Sequence, residues 1–191
     1  MNKLILESND LYNINSVDRY KLYYNNIVRP QMVNRFKYLN IHQVPKLESI
    51  TLSFDCGNSK LLSLVCLIAL ESISGQKAVL VKKKKKTKHS KNNYLCRVTL
   101  RKDCLFHFLE RYTNIVLPRI KDDSSYGISP YFYGNKGECI FNIKNVYLFP
   151  EIESEYELFQ QLPTMTFKVK TTSNNVVEMK YLLRSLNLIL L

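Results

Sequence analysis

Residues 48–55 read Glu-Ser-Ile-Thr-Leu-Ser-Phe-Asp and alternate with period two. Ile50, Leu52 and Phe54 fall on one side and Ser49, Thr51 and Ser53 on the other, because successive side chains of a strand point to opposite faces. The segment predicts a strand with one apolar face to bury and one small, hydroxyl-rich face to leave open. Asn58 or Ser59 then caps a strongly apolar helix over 60–73, and Ser74-Gly75 stops it, with Gly75 suited to a left-handed cap. The open face of the strand can meet solvent or the backbone of a nucleic acid.

The other periodicities extend this unit into a domain. Residues 23–39 predict a helix with Met32, Phe36 and Leu39 on one face. Pro30 must open its regular part or kink it, and Val44-Pro45 ends the unit, since the residue before proline is pushed towards extended geometry. Short strands are predicted over 78–81 and 94–100, the second with Tyr94, Cys96, Val98 and Leu100 on one side and Arg97 and Thr99 on the other. Leu105, Phe108, Leu109, Tyr112, Ile115 and Val116 mark an amphipathic helix ended by Pro118. Residues 121–137 read as a long loop or irregular hairpin, 139–149 and 164–172 as strands, and 175–186 as a closing helix. No internal repeat is found. Residues 1–22 read as an N-terminal extension and 23–191 as one domain. Helices mixed irregularly with strands predict an α+β fold, an antiparallel sheet packed by helices, with a protruding basic loop.

That loop is 82–91, where Lys82, Lys83, Lys84, Lys85, Lys86, Lys88 and Lys91 supply more than half of the net charge of +12. Charges this dense repel each other and resist burial, so a solvated finger between two strands is expected. Three roles fit the string: a plain solvated loop, the nuclear-import address of a nucleic-acid-binding regulator, and a phosphate-binding finger. The third is favoured, because lysine neutralises phosphate as a point charge and releases counterions. With 28 basic against 16 acidic residues, the whole chain suits polyanionic partners.

Other classes are disfavoured. A hydrophobic fraction of 46% rules out general disorder. Five cysteines without a close pair argue against a disulfide framework or a zinc ribbon. The longest apolar stretch, 61–70, is too short to span a bilayer. The N-terminus lacks a secretory apolar run and carries Glu7, Asp10 and Asp18, unlike a transit peptide. A soluble protein used where it is made is therefore expected, with no membrane partner. Gly-rich phosphate loops, nucleophile elbows and H-E-x-x-H are absent, Cys104 and His107 lack further metal ligands in sequence, and His42 and His89 lack acidic neighbours. No enzyme activity and no cofactor are expected. Glu151, Glu153, Glu155 and Glu157 read as a solvated acidic turn. Asn, Lys, Ile and Tyr are frequent and Gly and Ala scarce, the bias of an AT-rich genome and a hint of an organellar gene.

Several blocks lie in an order that resembles a known family. They are Phe36-Lys37-Tyr38-Leu39-Asn40-Ile41-His42-Gln43-Val44-Pro45, Ile73-Ser74-Gly75-Gln76-Lys77, Val98-Thr99-Leu100-Arg101 with Phe108-Leu109-Glu110-Arg111, Pro118-Arg119-Ile120-Lys121-Asp122, and Phe149-Pro150-Glu151-Ile152. Together they resemble the universal large-subunit ribosomal protein five family, which holds 5S rRNA in the central protuberance. The resemblance implies an α+β fold whose first strand and sheet face 5S rRNA and neighbouring large-subunit rRNA. Ser53, Gln76 and Thr99 occupy the family's contact positions, with Ser53 a departure from the usual Asn. Asn40, Gln43, Thr51, Lys77, Arg97 and Arg101 are expected beside them. The lysine loop takes the place of a family loop that reaches P-site tRNA. Arg119, Lys121, Tyr131 and Tyr133 fall in the region facing the small subunit and its protein thirteen, and other central-protuberance proteins should be neighbours. The implied location is a ribosome, read here as mitochondrial, with a plastid or bacterial cytoplasm as the alternative.

Overall fold

The computed structural model describes residues 16–82, 93–122, 131–133 and 137–188. The first helix is longer at its start and shorter at its end than its periodicity predicts. It runs as α1 (Ser16–Tyr23), a π-helical turn (Tyr24–Val28) and α2 (Arg29–Phe36). Lys37 ends it by adopting left-handed backbone (φ 48°) with its N–H on the Val33 carbonyl. Leu39 therefore leaves the buried face to which the helical period assigned it and is 92% exposed. Pro30 stands in the first turn of α2, just after the π turn, where the Arg29 N–H reaches back five residues to the Tyr24 carbonyl. That widening makes room for a pyrrolidine ring that would otherwise press on the carbonyl four residues back.

The same device recurs. Helix α4 (Lys102–Arg111) passes through a π turn (Tyr112–Val116) into α5 (Leu117–Asp122), with the Leu117 N–H on the Tyr112 carbonyl. Pro118 thus lies inside this helix, just after its π turn, where it was expected to end it. Residues 24–30, Tyr-Asn-Asn-Ile-Val-Arg-Pro, and 112–118, Tyr-Thr-Asn-Ile-Val-Leu-Pro, match at five of seven positions. The chain does hold one short local repeat, and in both copies the Tyr and Val are buried.

Six strands form one antiparallel sheet among the described residues: β1 (Leu47–Gly57), β2 (Val79–Lys82), β3 (Tyr94–Leu100), β4 (Tyr131–Tyr133), β5 (Glu138–Ile143) and β6 (Met165–Thr171). Their spatial order is β2-β3-β1-β6-β5-β4. The α+β class and the antiparallel sheet are as expected. The strand predicted over 139–149 stops at Ile143; a 3-10 turn (Val146–Leu148) follows, its Tyr147 N–H held by the Asn145 side chain. Strand β4 pairs with β5 as a hairpin inside the region read as a loop or irregular hairpin.

Helices α3 (Lys60–Ser74), α4 and α8 (Val176–Ser185), with the short α6 (Pro150–Glu153) and α7 (Tyr156–Phe159), are the further helices of the described residues. Ser59 caps α3 by accepting the Leu62 N–H at 3.3 Å, and Gly75 closes it at φ 64°. Ile50, Leu52, Phe54, Cys96, Val98, Phe141, Phe167 and Val169 are buried on the helix side of the sheet.

Two glycine positions separate strain from crowding. Gly75 and Gly137 both have positive φ, but a Cβ on Gly75 meets nothing within 4 Å, whereas on Gly137 it would lie 2.5 Å from the Thr171 carbonyl oxygen and 2.6 Å from that of Ser173. Gly75→Ala should cost about 1 kcal/mol from left-handed strain alone. Gly137→Ala should cost about 3 kcal/mol, because fixed backbone must move as well. Chemical denaturation of both variants checks this, and equal losses would refute the crowding argument.

Candidate nucleic-acid interface

Period-two geometry places the alternate residues of each strand on the face away from the helices, and the register lines them up. One row across the sheet reads Val79, Arg97, Ser53, Thr166 and Asn142. The next reads Thr99, Thr51, Lys168 and Ile140. Arg97, Thr99 and Asn142 are exposed, and Thr51, Ser53, Thr166 and Lys168 half-buried. Ser49, expected on the same open face, is buried at 6% exposure beside the irregular pairing at Leu47. Thr51, Ser53, Arg97 and Thr99 are therefore brought together as predicted. Thr166, Asn142 and Lys168 complete the face and were missed. The alternation through Met165, Phe167 and Val169 already turned Thr166 and Lys168 outward, but only the strand order sets them beside Ser53.

Charge on this face is partly cancelled. Lys168 pairs with Glu138 at 2.7 Å and Lys170 with Glu48 at 2.9 Å. Arg97, Arg101 and Lys77 are exposed and have no carboxylate partner among the described residues. These three leave a cationic side at β2 and β3.

Gln76 sits in a turn whose backbone is satisfied internally. The Ser74 hydroxyl donates to the Leu70 carbonyl at 2.6 Å and accepts the Gln76 N–H at 3.2 Å. The Glu71 carboxylate accepts the Ala78 N–H at 2.9 Å. The half-buried Gln76 amide itself has no hydrogen-bond partner among the described residues, so its two donors and carbonyl oxygen remain available. Continuing the β2 register outward brings Lys77 opposite Thr99. Asn40 precedes and Gln43 ends the 3-10 turn Ile41–Gln43, both exposed, with the Gln43 N–H on the Asn40 carbonyl. They lead into the start of β1, the end of the sheet where antiparallel β3 delivers Arg101.

Lys82 is exposed and pairs with Tyr94 at the other end of this hairpin, about 17 Å along the strand from Lys77 at strand rise. Lys83, Lys84, Lys85, Lys86, Lys88 and Lys91 lie outside the described residues. Arg119 donates to the Leu148 carbonyl at 3.3 Å and to Glu153 at 2.7 Å, fastening α5 to α6. Lys121 lies in α5, and Tyr131 and Tyr133 hold register positions opposite Ile140 and Glu138. The acidic run is not simply a solvated turn. Glu151 pairs with Arg111, which also donates to the Ile73 carbonyl at 2.8 Å, and Glu153 pairs with Arg119. Glu155 and Glu157 are exposed.

The carboxyl-terminal half of this architecture, residues 94–189, matches the family model for the C-terminus of ribosomal protein L5. The chain is 35% identical over 179 residues to the large ribosomal subunit protein uL5m of Reclinomonas americana, covering 87% of this chain and 94% of the relative. This chain belongs to the uL5 family of large-subunit ribosomal proteins. Bacterial uL5 proteins are about as similar: that of Syntrophus aciditrophicus is 34% identical, with 87% and 94% covered, and that of Trichodesmium erythraeum 34%, with 90% and 96% covered. As a uL5 family member it is a structural component of the ribosome and not an enzyme. Its partners are rRNA and other ribosomal proteins, and its place is the ribosome.

The thiols serve the core of this uL5 chain. Cys56 and Cys96 lie 3.3 Å apart beneath the sheet, Cys96 directs its thiol to the Ser63 carbonyl at 3.4 Å, and only Cys104 is not buried. Burial pushes the Cys96 and Cys139 thiols up to about 12. At pH 8 a thiol reagent should label Cys104 alone until the chain unfolds. A raised folded value favours the neutral thiol, so this stabilisation is complete below about pH 9 and is lost as pH rises towards 12. The denaturation midpoint should fall between pH 8.5 and about 10.5, and less so in Cys139→Ala. Rapid native labelling at several cysteines would contradict the packing.

Proposed function

We propose that the open sheet face of this ribosomal protein anchors 5S rRNA and adjoining large-subunit rRNA in the central protuberance. The observation that carries the reading is the aligned polar row Arg97, Ser53, Thr166 and Asn142, beside Thr99 and Thr51. RNA duplexes offer a wide, shallow minor groove lined with 2′-hydroxyls, which a flat array of hydroxyls and amides can meet. Arg97, Arg101 and Lys77 supply phosphate contacts that position the RNA without reading its sequence. Gln76, with an unpartnered amide, supplies a directional contact at the edge of the face, and Asn40 and Gln43 extend it at the start of β1. Ser53 offers a hydroxyl where relatives in the family pattern have an amide, so Thr166 and Asn142 beside it share the load.

The lysine run that starts at Lys82 leaves the opposite end of the β2–β3 hairpin. It serves as the contact to P-site tRNA, separate from the rRNA face. Lys121, Tyr131 and Tyr133 contact small-subunit protein thirteen, while Arg119 acts as a positioning residue because its guanidinium is held by Leu148 and Glu153. The ribosome is mitochondrial, a reading supported by the similarity to a relative named uL5m and by the Asn-, Lys-, Ile- and Tyr-rich composition.

Purified large subunits carrying Gln76→Ala together with Thr99→Ala should lose 5S rRNA, measured as the 5S-to-large-rRNA ratio. Unchanged occupancy would remove the proposal. Arg97→Gln should lower the salt dependence of 5S binding by about one counterion. Replacing the lysines from Lys82 to Lys91 should leave 5S occupancy intact and weaken P-site tRNA binding. Cosedimentation of the tagged chain with mitochondrial ribosomes tests the location.

A further inference from the structure

On the side of the sheet away from the polar face, helix α3 turns Leu61, Leu64 and Ile68 outward, 77%, 57% and 45% exposed. These positions share one stripe of the helix surface. Beside the stripe a groove of about 390 Å³ runs between α3 and the paired ends of β2 and β3. Ser63, Leu64 and Leu67 form the helix wall, and Leu80 and Tyr94 the strand wall. Leu80 is 42% exposed although it shares the inward parity of Cys96, because β2 is the edge strand and α3 does not cover it. Lys60 on the helix wall and Lys82 on the strand wall border the groove, and both are exposed.

We infer that this groove receives an amphipathic, acidic segment of another ribosomal protein, with apolar side chains against Leu64, Leu67 and Leu80 and carboxylates against Lys60 and Lys82. A contiguous apolar stripe with a polar border is the form that protein-docking sites take, and two lysines without acidic neighbours in the groove select a partner of opposite charge. RNA is a poor occupant, since phosphates would lose water against leucine walls while the hydroxyl-rich face lies open elsewhere. A second copy of this chain is also a poor occupant. A two-fold contact would bring Lys60 and Lys82 towards their own equivalents. The inference stands apart from the rRNA reading and uses a different surface, which shares only Lys82 with the tRNA reading.

The test is photo-crosslinking in intact ribosomes that carry Leu64→p-benzoylphenylalanine, with Thr51→p-benzoylphenylalanine as the sheet-face probe. The position-64 adduct should map to a peptide of a different protein, in which carboxylates flank the crosslinked apolar residue. Lys60→Glu combined with Lys82→Glu should lower its yield about tenfold and leave the position-51 adduct unchanged. An adduct with rRNA, with a second copy, with this chain itself or with a peptide lacking carboxylates would overturn the inference. So would the absence of an adduct, or a yield indifferent to charge reversal. Leu61→p-benzoylphenylalanine provides the same reading if the position-64 variant does not enter the particle. The position-51 probe reports separately on the rRNA face, so the two readings fail independently.

Discussion

The ring of Phe167 lies where the helical layer meets the sheet, with centroids 5.4 Å from Phe108, 5.0 Å from Tyr112 and 5.2 Å from Phe141. Phe149 extends the cluster through Phe108 at 6.3 Å. These rings join β5 and β6 to α4 and its π turn, and removing one from such a cluster typically costs about 3–5 kcal/mol. All of them stand on one side of the sheet, the side against which α4 packs. Period-two geometry then places Thr166 and Lys168, the neighbours of Phe167, on the other. The open polar face is the consequence of sealing the apolar one.

The two helices that carry the π turns hold each other in the layer. Arg19 pairs with Glu110 at 3.2 Å and Lys21 with Asp103 at 2.7 Å, setting α1 against α4. The Lys21 hydrogen bond holds the Asp103 carboxyl below its ordinary range. Tyr24, in the first π turn, packs on Phe106 with centroids 5.4 Å apart, and its hydroxyl accepts the Leu47 N–H at 3.4 Å. The π turn that accommodates Pro30 therefore also anchors the first residue of β1. Tyr20 and Tyr23 donate to the Leu186 and Ser185 carbonyls at 2.7 and 3.0 Å, satisfying acceptors at the end of α8. Through these bonds residues 16–23 dock on the domain.

Much of the candidate site was legible because it depends on local periods. The orientation of Thr51, Ser53, Arg97 and Thr99 followed from alternation, and the turn around Gln76 followed from Ser74-Gly75. Several neighbours did not follow. Leu39 continued the helical period of Met32 and Phe36, but the left-handed Lys37 broke the helix before that period could apply. Pro118 carried the ordinary signal of a helix end, and the π turn before it removed the clash that makes proline a terminator. Glu151 and Glu153 resembled a solvated run, because nothing near them in sequence announces Arg111 and Arg119.

The chain alone determined which strand residues face the helices, where α3 starts and stops, and the concentration of positive charge in one segment. Each depends on contacts a few residues long, governed by backbone period and capping. The tertiary structure decided that β1 pairs with both β3 and β6, and hence that Arg97, Ser53, Thr166 and Asn142 form one row. It also decided that Leu80 on the edge strand stays partly uncovered beside α3, forming a leucine groove with a basic border. Those outcomes depend on how distant segments close around a shared aromatic core, and residue periodicity carries no record of which strand becomes whose neighbour.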